Sequence, residues 1–237
     1  MLSLRPPAAT QQCGAPVFIR LKERKTVMQL RDYTLAHART KVRGIFCLET
    51  DWSEVRTSPS VEPMLELLKQ SPLQIPFVHR NVVTIDTLDY YLKKWTQRRH
   101  DDFPILYLAF HGIEGEVQFG DLRRRGARVT LDQLEETLRG RCSGRVIHFG
   151  CCQTLGVSQR RLRRFILETD ALAVSGYEKD IDWVRSAGLD FSFFASIQQN
   201  TMTVPGMRAV RRRVLLRQGR EVRSLAFRIA LREPKPR

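Results

Sequence analysis

Apolar and polar positions along the chain alternate between two rhythms. Short apolar runs bounded by glycine, proline or polar residues predict buried strands: Ile45–Leu48, Ile75–His79, Ile105–Phe110, Val146–Phe149 and Ala171–Ser175. Pro76 points to an edge position for the second run. Between the runs lie segments with helical spacing. Val61–Leu68 has Ser60 before it and Pro63 in its first turn, and Thr84–Arg99 has Ile85, Leu88, Leu92 and Trp95 on one face. Thr130 opens a capped helix that buries Leu131, Leu134 and Leu138. Ser158–Thr169 is a basic amphipathic helix, and Ile181–Ile197 is rich in phenylalanine. Glu114–Asp121, with its glycine spacing and alternation, reads as a small hairpin or β-arm, and Arg123–Arg128 as a basic loop. Strand and helix alternate throughout, so the predicted fold is α/β: a mainly parallel sheet flanked by helices on both faces.

The chain divides into three stretches by the same criterion. Residues 1–43 show little periodicity beyond a candidate helix over Thr26–Ala38, and read as an N-terminal extension that is partly disordered. Residues 44–200 carry the α/β pattern. Residues 201–237 read as a basic C-terminal helical extension, with one or two amphipathic helices over Met207–Leu231 and a break near Gly219. No stretch is apolar enough to span a membrane, and Met1–Gly14 lacks the apolar core of a secretory signal. Five cysteines, an odd number with no framework spacing, suit a reducing cytoplasm.

Charge changes this picture in one respect. A net charge of +15 over 237 residues raises nucleic acid, acidic membrane surfaces and acidic proteins as partners. The arginines are spread over several segments, and Phe227 is the one aromatic among those near the C-terminus. That weakens a reading based on stacking against single strands, and a docked helix with a solvated basic face is the competing reading.

The candidate chemistry sits at the ends of two predicted strands. One ends in Phe110-His111-Gly112 and the other in Phe149-Gly150-Cys151-Cys152-Gln153-Thr154. The C-terminal edge of an open α/β sheet is where binding and catalysis gather. A thiol and an imidazole brought together there make a nucleophile and its base. Strand alternation puts Cys151 and Cys152 on opposite faces, so the two would not act together. No Cys-x-x-Cys or paired-histidine spacing supports a metal, and no cofactor motif is present. His148 falls inside a strand and reads as core, and His79 and His100 as structural or surface residues.

Tyr107–Gly112, Val117–Asp121, Val129–Asp132, Val146–Thr154 and Ala171–Ser175, in that order, resemble the CHAT branch of caspase-like cysteine peptidases, over about Gly44–Ile197. That branch has a strand ending in His-Gly and a later strand ending in Ser-Ala-Cys-x-Thr. Here Gly150-Cys151 stands in place of Ser-Ala, and Tyr177–Asp182 replaces the family's usual stretch after the last strand. The resemblance is to small bacterial members. It implies a caspase-like fold, a Cys152–His111 dyad that cleaves peptide bonds in a protein or peptide substrate, and an oxyanion hole from the backbone N–H groups of Gly112 and Cys152. It further implies Asp180 and Asp182 as binders of a basic substrate residue, against their alternative use as charges at a helix N-terminus. An activating protein partner, in bacterial defence, is implied by the same analogy. The alternatives are a non-catalytic scaffold binding a protein or nucleic acid through its basic surface, and a hydrolase or transferase acting on a non-peptide acyl group.

Overall fold

The computed structural model describes residues 41–52, 59–119 and 128–233. The Thr26–Ala38 helix, Cys13 and most of the predicted basic loop lie outside them. Five parallel strands form the centre: β1 (Ile45–Glu49), β2 (Phe77–Asn81), β3 (Ile105–Ala109), β7 (Val146–Phe149) and β8 (Ala173–Tyr177). A sixth, β9 (Phe227–Leu231), pairs antiparallel to β8, and the strand order is β2-β1-β3-β7-β8-β9. Every residue of β1, β3, β7 and β8 is buried. This explains their continuous apolar runs, since a parallel sheet is covered on both faces. β2, with Pro76 before it, lies at one edge.

Alternate residues of the strands feed two cores. On one face α2 (Ile85–Trp95), α3 (Leu131–Leu138) and α4 (Gln159–Thr169) pack on Leu48, Leu106, Leu108, Ile147 and Phe149. On the other, α1 (Glu62–Gln70), α5 (Trp183–Gln198) and α6 (Val204–Ser224) pack on Ile45, Ile105, Tyr107 and Val146. The helices start where the polar residues direct. Thr84 accepts from Thr87 N, and Thr130 and Gln133 form a full capping box. The fold is therefore α/β with a mainly parallel sheet and helices on both faces, consistent with a caspase-like arrangement. None of the described helices is long and apolar enough to cross a membrane.

Two expectations are corrected. The β-arm is a three-stranded antiparallel sheet of β4 (His111–Ile113), β5 (Glu116–Gln118) and β6 (Arg128–Thr130). His111 is therefore the first residue of a separate small sheet and not the tip of β3. The predicted helix through Leu231 ends at Ser224 instead. Ala226 takes a left-handed φ of 48°, and from Phe227 the chain is extended and pairs with β8. The break foreseen near Gly219 is a kink at Gln218. Within residues 201–233, α6 packs on α5 and β9 is the sixth strand of the sheet.

Candidate functional site

The site lies at the C-terminal edge of the central sheet, where the β1, β3, β7 and β8 connections meet. The turn after β7 carries the two adjacent thiols, and the structure separates them sharply. Cys151 is fully buried and its Sγ donates to the Leu108 carbonyl at 3.2 Å. Burial, outweighing hydrogen bonds from Phe110 and Thr154, pushes its thiol up to about 12. It is a small core residue. Cys152 is half-buried and lines a small open cavity. Its thiol is also raised, first by desolvation and then by the nearby Asp180 carboxylate, with a hydrogen bond from the Ile181 backbone opposing. Cys152 therefore rests as a neutral thiol and needs a base to become a nucleophile.

The His-Gly segment is packed directly against this turn. A Cβ placed on Gly112 would lie 2.3 Å from the Cys152 carbonyl oxygen, 2.3 Å from Thr154 Oγ1 and 2.8 Å from Cys151 Cβ. Only glycine allows that approach. Thr154 Oγ1 ties the two segments further by donating to the Glu116 carbonyl at 3.0 Å, and Gly115 N donates to the Thr154 carbonyl. His111 follows from this placement. Its Nε2 lies 3.2 Å from the Trp52 carbonyl oxygen, and its ring meets the Trp52 indole edge-on with centroids 5.1 Å apart. A carbonyl can only accept, so Nε2 carries the proton and Nδ1 is left as the basic atom.

Trp52 also lines the cavity beside Cys152. It is held in turn by Glu49, the last residue of β1, which is 2% exposed. Glu49 Oε1 accepts from Trp52 Nε1 at 2.6 Å and Val61 N at 2.8 Å, and Oε2 from Ser60 Oγ at 2.7 Å and His79 Nε2 at 2.6 Å. Desolvation alone would raise the Glu49 carboxyl, but these bonds, led by His79, hold it below the ordinary carboxylate value. A carboxyl with a depressed folded-state pKa stabilises the fold above its unfolded pKa of about 4.3, and the gain is lost as pH falls through the folded value. Replacing Glu49 by Gln should lower the melting temperature at pH 7 and flatten its decline below about pH 4.3. Equal melting curves for the two proteins across that range would overturn the role given to Glu49.

The cavity is walled mainly by Trp52, Val61, Tyr107, Ile181, Trp183 and Ala187, with Asp190 on its lining. Asp190, from α5, is 1% exposed. It accepts from Tyr107 at 3.0 Å, Tyr177 at 2.5 Å and His148 Nε2 at 2.9 Å, while His148 Nδ1 meets Ser175 Oγ at 2.9 Å. Burial, reinforced by the Asp190 carboxyl, raises both tyrosines well above 10. His148 is core, fully buried.

Neither Asp180 nor Asp182 lines the cavity. Asp180 accepts from Gln153 Nε2 at 2.9 Å, and Asp182 is the N-cap of α5, accepting from Arg185 N at 2.8 Å. The structure thus packs the His-Gly segment against the Cys152 turn through Gly112, sets the His111 ring against Trp52, and leaves Asp180 and Asp182 outside the cavity lining. Glu49, Trp52, Tyr107 and Asp190 emerge only in three dimensions. Glu49 alone has a local signal, a carboxylate ending an apolar strand.

The site is thus a half-buried thiol at an aromatic-walled cavity, with the His-Gly segment packed against the thiol's own turn. The chain itself belongs to a family of unknown function, DUF6642, whose model matches residues 43–230. No curated protein matches it.

Proposed function

We propose that the protein is a cysteine endopeptidase of the CHAT or caspase-like type, with Cys152 as nucleophile and His111 as base. The observation that carries this reading is the backbone contact of Gly112 with Cys151–Thr154, which brings the His-Gly segment onto the thiol's own turn. The His111 Nδ1 accepts the Cys152 proton, and the sulfur attacks the peptide carbonyl carbon. The N–H groups of Gly112 and Cys152 stabilise the oxyanion. His111 returns the proton to the leaving amine as the C–N bond breaks. Water, deprotonated by His111, then hydrolyses the thioester, releasing the acid and restoring the thiol.

The cavity favours an uncharged apolar side chain over the basic one that Asp180 and Asp182 suggested. Its walls are aromatic and aliphatic, and both oxygens of its one lining carboxyl already accept hydrogen bonds. The test is labelling with peptidyl acyloxymethyl ketones bearing Leu, Phe, Arg or Lys next to the warhead, with mass spectrometry to find the modified residue. The expected result is modification of Cys152, fastest with Leu or Phe and absent in Cys152→Ala. Cys151→Ala should still label, and His111→Ala should label about 100-fold more slowly. Labelling that survives Cys152→Ala removes the peptidase reading, whereas faster labelling with Arg or Lys removes only the apolar preference.

A further inference from the structure

On the far side of the sheet from β2, strand β9 forms an edge. Glu178 N donates to the Ala226 carbonyl and Arg232 N to the Leu172 carbonyl. By the alternation of an antiparallel pair, residues 226, 228, 230 and 232 direct their backbone polar groups at β8, and Phe227, Ile229 and Leu231 direct theirs away from it. Among the described residues no strand pairs with that side. An open row of N–H and C=O groups is a template for another strand unless it is blocked.

This edge is not apolar. It forms the floor of an open groove, into which arginines project from both faces of the sheet. Arg228 and Arg232 stand on the α4 side, and Arg208 and Arg211 come from α6 on the other. Arg228 pairs with Glu178 at 2.9 Å and Arg232 with Asp170 at 2.5 Å. The one lining acid, Glu233, is engaged by Arg163 at 2.9 Å. Arg208 and Arg211 are exposed and form no ion pair among the described residues, so the α6 side carries the uncompensated charge.

We infer that β9 is a docking edge for an extended acidic segment of another protein, which adds as a seventh strand and sets its carboxylates against Arg208 and Arg211. Main-chain pairing to Ile229 and Leu231 supplies affinity, and the arginines supply choice of partner. Charge excludes two other occupants. A second copy paired edge to edge would bring like arginines together. The chain's own residues 1–40 carry seven Lys or Arg against two Asp or Glu. The open row of backbone N–H and C=O groups is what favours a peptide strand over a nucleic acid, which needs no such template.

The full chain can be titrated into a fluorescent decapeptide of glutamate and threonine, followed by anisotropy. Binding should weaken as salt rises from about 50 to about 300 mM. It should fall at least about tenfold with a peptide N-methylated at alternate residues, and by a similar factor in R208E/R211E. Both arginines are exposed, and circular dichroism with the milder R208A/R211A variant checks that the effect is not one of folding. Equal binding of the N-methylated peptide would reduce the edge to a charge effect and overturn the proposal. So would tighter binding of a single-stranded oligonucleotide at the same salt, or self-association through β9 in sedimentation.

Discussion

Gly112→Ala should cut the labelling of Cys152 by about 100-fold while leaving most of the fold in place. The added methyl would sit 2.3 Å from both the Cys152 carbonyl oxygen and Thr154 Oγ1, inside any allowed contact. Two of the three atoms it meets are backbone or β-carbon, so no flexible side chain can swing away and the β4 and β7 segments must part. That parting moves His111 from the thiol's turn. It also breaks the Thr154 bond to the Glu116 carbonyl, since Thr154 Oγ1 is itself one of the clashing atoms. Misplacement of reacting groups by about 1 Å is enough for a rate loss of this size. The measurement is the second-order rate of modification by a peptidyl ketone, beside far-ultraviolet circular dichroism. The companion substitution Gly115→Ala is the contrast. Its Cβ meets only Val157 at 3.4 Å, so its cost comes from a positive φ of 73° and not from a clash with the Cys151–Thr154 turn. Unchanged Cys152 labelling in Gly112→Ala would mean that the close approach of the two segments has no part in the chemistry.

What could be read in the residues, and what could not, divides along the range of the contacts. The β1, β3, β7 and β8 strands are continuous apolar runs because both faces of each are covered, and such runs stand out without any knowledge of partners. Thr84 and Thr130 cap their helices through bonds to residues three positions on, a local signal. The Cys-Cys turn and the His-Gly segment were visible as polar residues ending apolar runs. β9 was hidden because Arg228 and Arg232 alternate with apolar residues directly after an arginine-rich helix, and charge masks the change of period from 3.6 to 2. The supports of the site were hidden for another reason. His111 is held by a backbone carbonyl 59 residues away, and any residue type can offer one. Trp52 owes its place to Glu49, three residues before it, but nothing in that spacing says that the indole will meet an imidazole. Asp180 and Asp182, by contrast, were conspicuous in the sequence because they are adjacent to a strand end. Their visible uses are local ones, a glutamine partner and a helix cap.

Asp190→Ala should lower stability by about 3–5 kcal/mol, the largest loss expected from a single polar substitution in this chain. The carboxyl is 1% exposed and is the common acceptor of three buried groups from three strands: Tyr107 on β3, His148 on β7 and Tyr177 on β8. Removing it leaves the Tyr107 hydroxyl and the His148 ring N–H without their acceptor and leaves Tyr177 only its longer bond to the Ser186 carbonyl at 3.2 Å, and each unpaired donor costs about 1–3 kcal/mol. The tyrosines cannot relieve this by ionising, because burial already holds both well above 10. For a chain of this size the loss corresponds to a melting temperature lower by about 10 °C. Tyr107→Phe removes one donor and leaves the acceptor with two, so it should cost only about 1 kcal/mol. The contrast between the two, read by denaturant unfolding, compares loss of the shared acceptor with loss of one of its donors. The same carboxyl lines the cavity beside Cys152, so the network also fixes the positions of Tyr107 and α5 along that wall. If the Asp190→Ala protein were as stable as the parent to within about 1 kcal/mol, the three hydrogen bonds would not be what joins α5 to the sheet, and the rigidity ascribed to the cavity wall would have to come from the phenylalanines of α5 alone.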